Sequence, residues 1–131
     1  MTTYVPPNQQ LVTEIVVRDI PTSRDFYRAL GFVVVRDEGN FVELTWEDHC
    51  FFLTAVPPSE LPAGAEIPPP PQLPWANVRV MVPDVDEHWK RANKLGARVV
   101  NPIGDRYYGL RDFIIADPDG FGVRFASLLN Q

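Results

Sequence analysis

Residues 12–17 and 77–82 alternate apolar and polar positions, with Thr13, Ile15 and Val17 in the first stretch answering Val78, Val80 and Val82 in the second. Period two predicts a strand with one buried face. Each stretch is followed by an aspartate, Asp19 or Asp84, then by an amphipathic segment, Ile20–Leu30 or Val85–Leu95, that ends at Gly31 or Gly96. Aspartate can cap a helix N-terminus and glycine can take the left-handed conformation that stops a helix, so both segments are predicted helices. Strand-like runs come next: Phe32–Arg36, Phe41–Trp46 and Cys50–Ala55 in the first half, then Arg98–Asn101, Arg111–Ala116 and Gly122–Ser127 in the second. Turn residues at 37–40, 47–49 and 117–120 separate them, and a long connection is expected over Pro102–Gly109. Each half therefore reads β-α-β-β-β.

The two halves superimpose without gaps at an offset of 65 residues, which places Asp19 on Asp84, Ile20 on Val85, Leu30 on Leu95, Gly31 on Gly96 and Val34 on Val99. Internal repetition of this kind decides the fold. The chain is predicted to be one domain of 131 residues built from two modules, 11–56 and 75–127, joined by a linker at 57–74. Composition supports the linker, because eight of the 14 prolines fall between Pro57 and Pro74. The run Pro68–Pro71 favours a stiff extended spacer. A proline-rich ligand for an aromatic-groove domain is the competing reading, and the position between two copies of a repeat disfavours it.

A net charge of −5 offers no broad basic field for phosphate backbones, which argues against a nucleic-acid partner. Cys50 is the single cysteine, so neither an intrachain disulfide framework nor a thiolate metal cluster can form. No apolar run approaches the ~20 residues of a membrane span, and the first ten residues lack the features of a secretion signal. A cytoplasmic protein without a membrane partner is expected.

The segment Val17-Arg18-Asp19-Ile20 leading into Ser23-Arg24-Asp25-Phe26-Tyr27-Arg28-Ala29-Leu30-Gly31-Phe32 resembles the glyoxalase/bleomycin-resistance/dioxygenase family, the vicinal oxygen chelate superfamily. Tyr108-Gly109-Leu110-Arg111-Asp112-Phe113, followed by Asp117-Pro118-Asp119-Gly120, is similar to the aromatic-Gly-x-Arg-x-Phe and DPDG signature of its bleomycin-resistance branch. The resemblance spans residues 11–127. It implies an α+β fold in which two βαβββ modules form cupped mixed sheets around a cavity, with helices on the outer faces. Strand parity agrees: if Ile15, Val17, Val78, Val80, Val82, Val123 and Phe125 pack beneath helices, then Val12, Glu14, Val16, Asn77, Arg79, Met81, Gly122 and Arg124 point into the cup.

Metal-dependent relatives hold a divalent cation with His, Gln or Glu at four positions, which the resemblance places on Val12, Phe52, Asn77 and Arg124. Arginine stays protonated and phenylalanine and valine have no donor, so no metal and no cofactor is expected. His49, in a turn, and His88, on the second helix, do not map onto the cup. Without a metal, the resemblance implies a small-molecule binding protein that sequesters a bleomycin-like antibiotic or another aromatic or amphipathic ligand in a cleft at a homodimer interface. The alternative is a divergent lyase, isomerase or dioxygenase of the same superfamily, with Glu14 as a general base.

Candidate aromatic walls are Phe41, Trp46, Phe52, Trp75, Tyr107, Tyr108 and Phe113, with Tyr107 and Tyr108 favoured because they fall in an irregular polar connection. Arg111, within the signature, joins the candidate ligand-binding set. The polar residues expected in the cup are Asn77, Arg79, Arg124 and Glu14, with the two arginines on neighbouring strands. Two outcomes remain open at this point. The arginines could clamp an anion, or Glu14 could pair with one or both and neutralise the site.

Overall fold

The structure, a computed structural model, describes residues 4–55, 62, 66 and 68–129. They fall into two compact units, Met1–Pro68 and Pro69–Gln131. The first contains β1 (Thr13–Val16), α1 (Ile20–Leu30), β2 (Val33–Asp37), β3 (Phe41–Trp46) and β4 (His49–Thr54). The second contains β5 (Asn77–Met81), α2 (Val85–Leu95), β6 (Arg98–Asp105), β7 (Leu110–Ala116) and β8 (Gly122–Leu128). Each is a βαβββ unit, and the strand orders are β1-β4-β3-β2 and β5-β8-β7-β6. In both sheets the first strand runs parallel to the last, and the other neighbours are antiparallel.

Local chemistry sets the helix ends. Asp19 caps α1, its carboxylate accepting from the Thr22 amide at 3.0 Å and from the Thr22 hydroxyl. Pro21 sits in the first turn, where its missing N–H costs nothing. Gly31, at φ 114°, ends the helix in the left-handed region. The buried residues Ile20, Ser23, Tyr27 and Leu30 form one stripe facing the sheet. Tyr27, fully buried, meets Phe32 at 5.3 Å and Phe51 at 4.9 Å between ring centroids.

The second helix starts differently. Asp84 occupies the expected cap position but its side chain makes no capping hydrogen bond. Ser127 on β8 does that job instead: its hydroxyl accepts from the Val85 amide at 2.9 Å and donates to the Val82 carbonyl at 2.7 Å. The cap of α2 therefore comes from a strand 42 residues further along. Beneath this helix His88 stacks on Phe125 at 4.9 Å and Trp89 packs on Phe113 at 5.0 Å.

The expected connection at Pro102–Gly109 is shorter than the sequence implies. β6 continues through Pro102 to Asp105, with register shifts between Val99 and Asn101 and between Asn101 and Gly104. β6 is an edge strand with one neighbour, so a proline at a bulge removes no ladder bond the sheet needs. Of the proline-rich linker, 57–61, 63–65 and 67 lie outside the described residues. Its last residues pack onto the second unit. The Arg98 guanidinium donates to the Gln72 carbonyl at 2.8 Å and the Pro71 carbonyl at 3.1 Å. Pro71 also lies against Gly120, which at φ +87° leaves no room for a Cβ, since that atom would fall 2.5 Å from Pro71 Cδ.

Candidate functional site

One face of each sheet is covered by its helix, and strand alternation divides the candidate residues between that face and the open one. In the second unit the register aligns three rows across β5, β8 and β7: Met81–Ala126–Asp112, Arg79–Arg124–Ile114 and Asn77–Gly122–Ala116. Arg79 and Arg124 are direct partners on neighbouring parallel strands, in line with the expectation that their strands are adjacent. The helix-covered face carries Val80, Val123, Phe125, Phe113 and Ile115, all buried.

Asp112 organises the open face. Only 1% exposed, its carboxylate accepts from Arg106 Nε at 2.7 Å, Tyr108 Oη at 2.8 Å and Arg124 Nε at 2.8 Å, with a further bond from Arg124 Nη2. Arg124 Nη2 also donates to Tyr108 Oη at 2.7 Å, and its guanidinium lies 5.3 Å from the Tyr108 ring centroid. Arg106 Nη2 is held by the Pro102 carbonyl at 2.6 Å and the Asp112 carbonyl at 3.2 Å. Burial pushes the Asp112 carboxyl upward, but the hydrogen bonds from Arg106, Tyr108 and Arg124 outweigh it and hold the group below the usual carboxylate range. Burial and the same carboxylate raise the Tyr108 phenol, which stays a neutral donor.

The β6–β7 hairpin makes this possible. The Arg106 amide donates to the Leu110 carbonyl at 2.7 Å and the Gly109 amide to the Arg106 carbonyl at 3.1 Å, with Gly109 at φ +88°. Tyr107 and Tyr108 occupy the tip, their rings edge to face at 5.1 Å. Tyr107 is fully exposed, whereas Tyr108 reaches back to Asp112.

Two candidates lie on the other side. Arg111 points away from the open face and ties α2 to β6, its Nη2 on Asp86 and its Nη1 on Asp105, both at 3.0 Å. Phe113 is completely buried among Trp89 and Phe125 and presents no surface to a ligand. Alternation excludes both from the face that Asp112, between them in sequence, occupies. The carboxylate partner of Arg124 is Asp112, on the adjacent strand of the same unit. Trp75, just before β5, is 92% exposed and Asn77 is exposed at the start of that strand.

The open face of the first sheet pairs Glu14 with Phe52 and Phe52 with Glu43 across β1, β4 and β3. Phe41 and Phe52 meet edge to face at 5.1 Å, and the Arg36 guanidinium lies 5.1 Å from the Phe41 centroid. Arg36 bridges Glu43 at 3.4 Å, and the Cys50 thiol donates to Glu43 at 3.8 Å. Desolvation, reinforced by the Glu43 charge, raises the Cys50 thiol, so it is no activated nucleophile. Trp46 falls on the helix-covered face, 5.1 Å from Phe32. Glu14 is exposed.

The four positions where relatives carry metal ligands do not fit a cation. Val12 and Phe52 have no donor atom, Arg124 is committed to Asp112, and Asn77 offers a single neutral amide. Among the described residues no three His, Cys, Asp or Glu side chains come close enough to hold a metal ion, and no helix is long and apolar enough to cross a membrane.

The profile of the glyoxalase/bleomycin resistance protein/dioxygenase superfamily matches residues 9–125, and the chain belongs to that family. Solved structures share the fold. TioX from Micromonospora sp. ML1 is 24% identical, with a TM-score of 0.70 over 91% of this chain and 98% of that one. A family enzyme from Burkholderia phytofirmans PsJN is 22% identical, with a TM-score of 0.73 over 90% and 97%. The bleomycin resistance determinant encoded on transposon Tn5 is 20% identical, with a TM-score of 0.65 over 92% and 98%. No curated protein matches this chain.

Proposed function

We propose that this chain binds, without catalysing its conversion, a small aromatic or amphipathic molecule, and sequesters it in a cleft completed by a second copy of the chain. A bleomycin-like antibiotic is one ligand of this class. The observation that carries the reading is the use of Arg124: at a position where metal-dependent relatives place a ligand, this chain puts a guanidinium fixed by Asp112 and Tyr108. Such a group can hold a ligand by charge and shape but cannot coordinate a Lewis acid. Exposed rings support it, with Tyr107, Tyr108 and Trp75 all presenting surface on the second unit and Phe41 and Phe52 side by side on the first. The family includes a bleomycin resistance determinant of the same fold, and sequestration asks for affinity alone.

Titration calorimetry with a bleomycin-class drug and a panel of aromatic metabolites tests the reading. Saturable binding at one ligand per chain, or one per cleft, is expected, together with less than stoichiometric metal by elemental analysis of protein purified without chelator. One divalent ion per chain, or a folded protein that binds none of the panel, overturns it.

A further inference from the structure

The open face of the second sheet carries more positive charge than its own residues neutralise. Arg79, Arg106 and Arg124 stand there against Asp112, the single carboxylate in the three aligned rows. Their neighbours in those rows, Asn77, Met81, Ile114, Ala116, Gly122 and Ala126, are uncharged. The excess sits on a chain whose net charge is −5, so it is a local arrangement and not a reflection of composition.

The two arginines differ in their commitments. Arg124 spends Nε and Nη2 on Asp112 and Tyr108, while its Nη1 makes no hydrogen bond to a described residue. Arg79 is exposed and makes no hydrogen bond or ion pair with any described residue. Direct partners on adjacent strands lie ~4.8 Å apart at the backbone, so the two side chains rise from the sheet side by side. Like charges placed directly opposite are destabilising, and this pair is retained without a carboxylate between them. An oxyanion relieves the repulsion, because its two oxygens can accept from both guanidiniums. Beside them are apolar surfaces: Met81, 43% exposed on the same face of β5, and Ile114 in the same row as the arginines.

We propose that Arg79 and the free edge of Arg124 form an oxyanion clamp, and that the ligand of this chain carries a carboxylate on a planar aromatic body. Asp112 and Tyr108 act as positioning residues, fixing the Arg124 guanidinium so that Nη1 remains available. This inference rests on the small-molecule-binding reading and adds the charge of the ligand to it.

Three probes separate the two claims: 2-naphthoate, its neutral amide 2-naphthamide, and the cation 2-naphthylmethylammonium, each titrated into the full chain and followed by tryptophan fluorescence and by NMR of the arginine side-chain N–H groups. The clamp predicts that naphthoate binds at least ten-fold more tightly than the amide, and that Arg79→Ala removes this preference while Arg79→Lys retains part of it. Arg79→Glu, at an exposed position, should shift the preference to the cation. If naphthoate and naphthamide bind equally, or if Arg79→Ala leaves the preference intact in a folded protein, the clamp is overturned and the binding reading survives. If no probe and no bleomycin-class drug binds, both are overturned.

Discussion

Replacing Asp112 with alanine removes the carboxylate that four hydrogen bonds converge on, from Arg106 Nε, Tyr108 Oη and both Arg124 Nε and Nη2. Removing one partner of a buried ion pair costs ~3–5 kcal/mol, because the remaining charge stays desolvated. Here the Arg106 and Arg124 side chains keep 22% and 18% of their exposure, so the released guanidiniums recover part of their hydration. The loss should therefore lie near the lower bound, about 3 kcal/mol. Asp112→Asn retains volume and one acceptor but loses the charge, and should cost roughly half as much. Urea denaturation followed by circular dichroism measures both through the shift in midpoint at constant slope. The double variant Asp112→Ala/Arg124→Met should lose less than the sum of the singles, by about 1.5 kcal/mol or more, since the second change removes the orphaned charge that the first created. Additive losses, or an Asp112→Ala cost below about 1 kcal/mol, would refute the claim that this network is a coupled unit.

Ser127→Ala leaves the buried Val85 amide without its acceptor and should destabilise by roughly 1–2 kcal/mol, whereas Asp84→Ala should be within about 0.5 kcal/mol of the parent; denaturation midpoints of the two variants check the pair. Gly120→Ala forces a Cβ into Pro71 at a left-handed backbone position, and should cost more than about 1 kcal/mol by the same measurement. Acidification should act in two windows. Burial, aided by the Arg91 charge, lowers the His88 pKa below its ordinary 6.5, so the folded state takes up its proton less readily than the unfolded one and stability falls as pH drops below that value. His88→Phe should flatten this step in a series of denaturation curves between pH 7.5 and 5. Asp112 contributes a second loss only below its ordinary value of 3.8, where the unfolded carboxyl protonates first, and Asp112→Asn should remove that step.

Much of the architecture was readable because its signals are local. The bounds of both helices, Ile20–Leu30 and Val85–Leu95, follow from an aspartate before and a glycine after, and the 65-residue repeat carries one strand order over to the other. What was not readable depends on contacts distant in sequence. Asp84 looks like Asp19, yet the cap of α2 is a serine on β8 that no local pattern points to. Pro102 and Gly104 read as loop residues, and only the absence of a second neighbour lets β6 run through them.

The site shows the same division. Parity puts Arg79 and Arg124 on the same face, because alternation is strict within a strand, and the strand pairing sets them side by side. Arg111, a candidate through its motif, and Phe113, a candidate as an aromatic wall, share the parity of Ile115, which assigns both to the covered face. The same alternation puts Asp112, a charged side chain inside an apolar strand, on the arginine side of the sheet. That it serves two arginines and a tyrosine at once depends on how the β6–β7 hairpin returns Tyr108 and Arg106 over the sheet, which no spacing reveals.

The central claim, metal-independent binding of a small molecule, is tested most directly by calorimetric titration of the chain after exhaustive chelation. The account predicts saturable binding of a bleomycin-class drug or an aromatic carboxylate such as 2-naphthoate, with affinity unchanged when zinc, manganese or nickel is restored. Binding that appears only after a divalent ion is returned, or a folded chain that shows no saturable heat with either ligand, would contradict it.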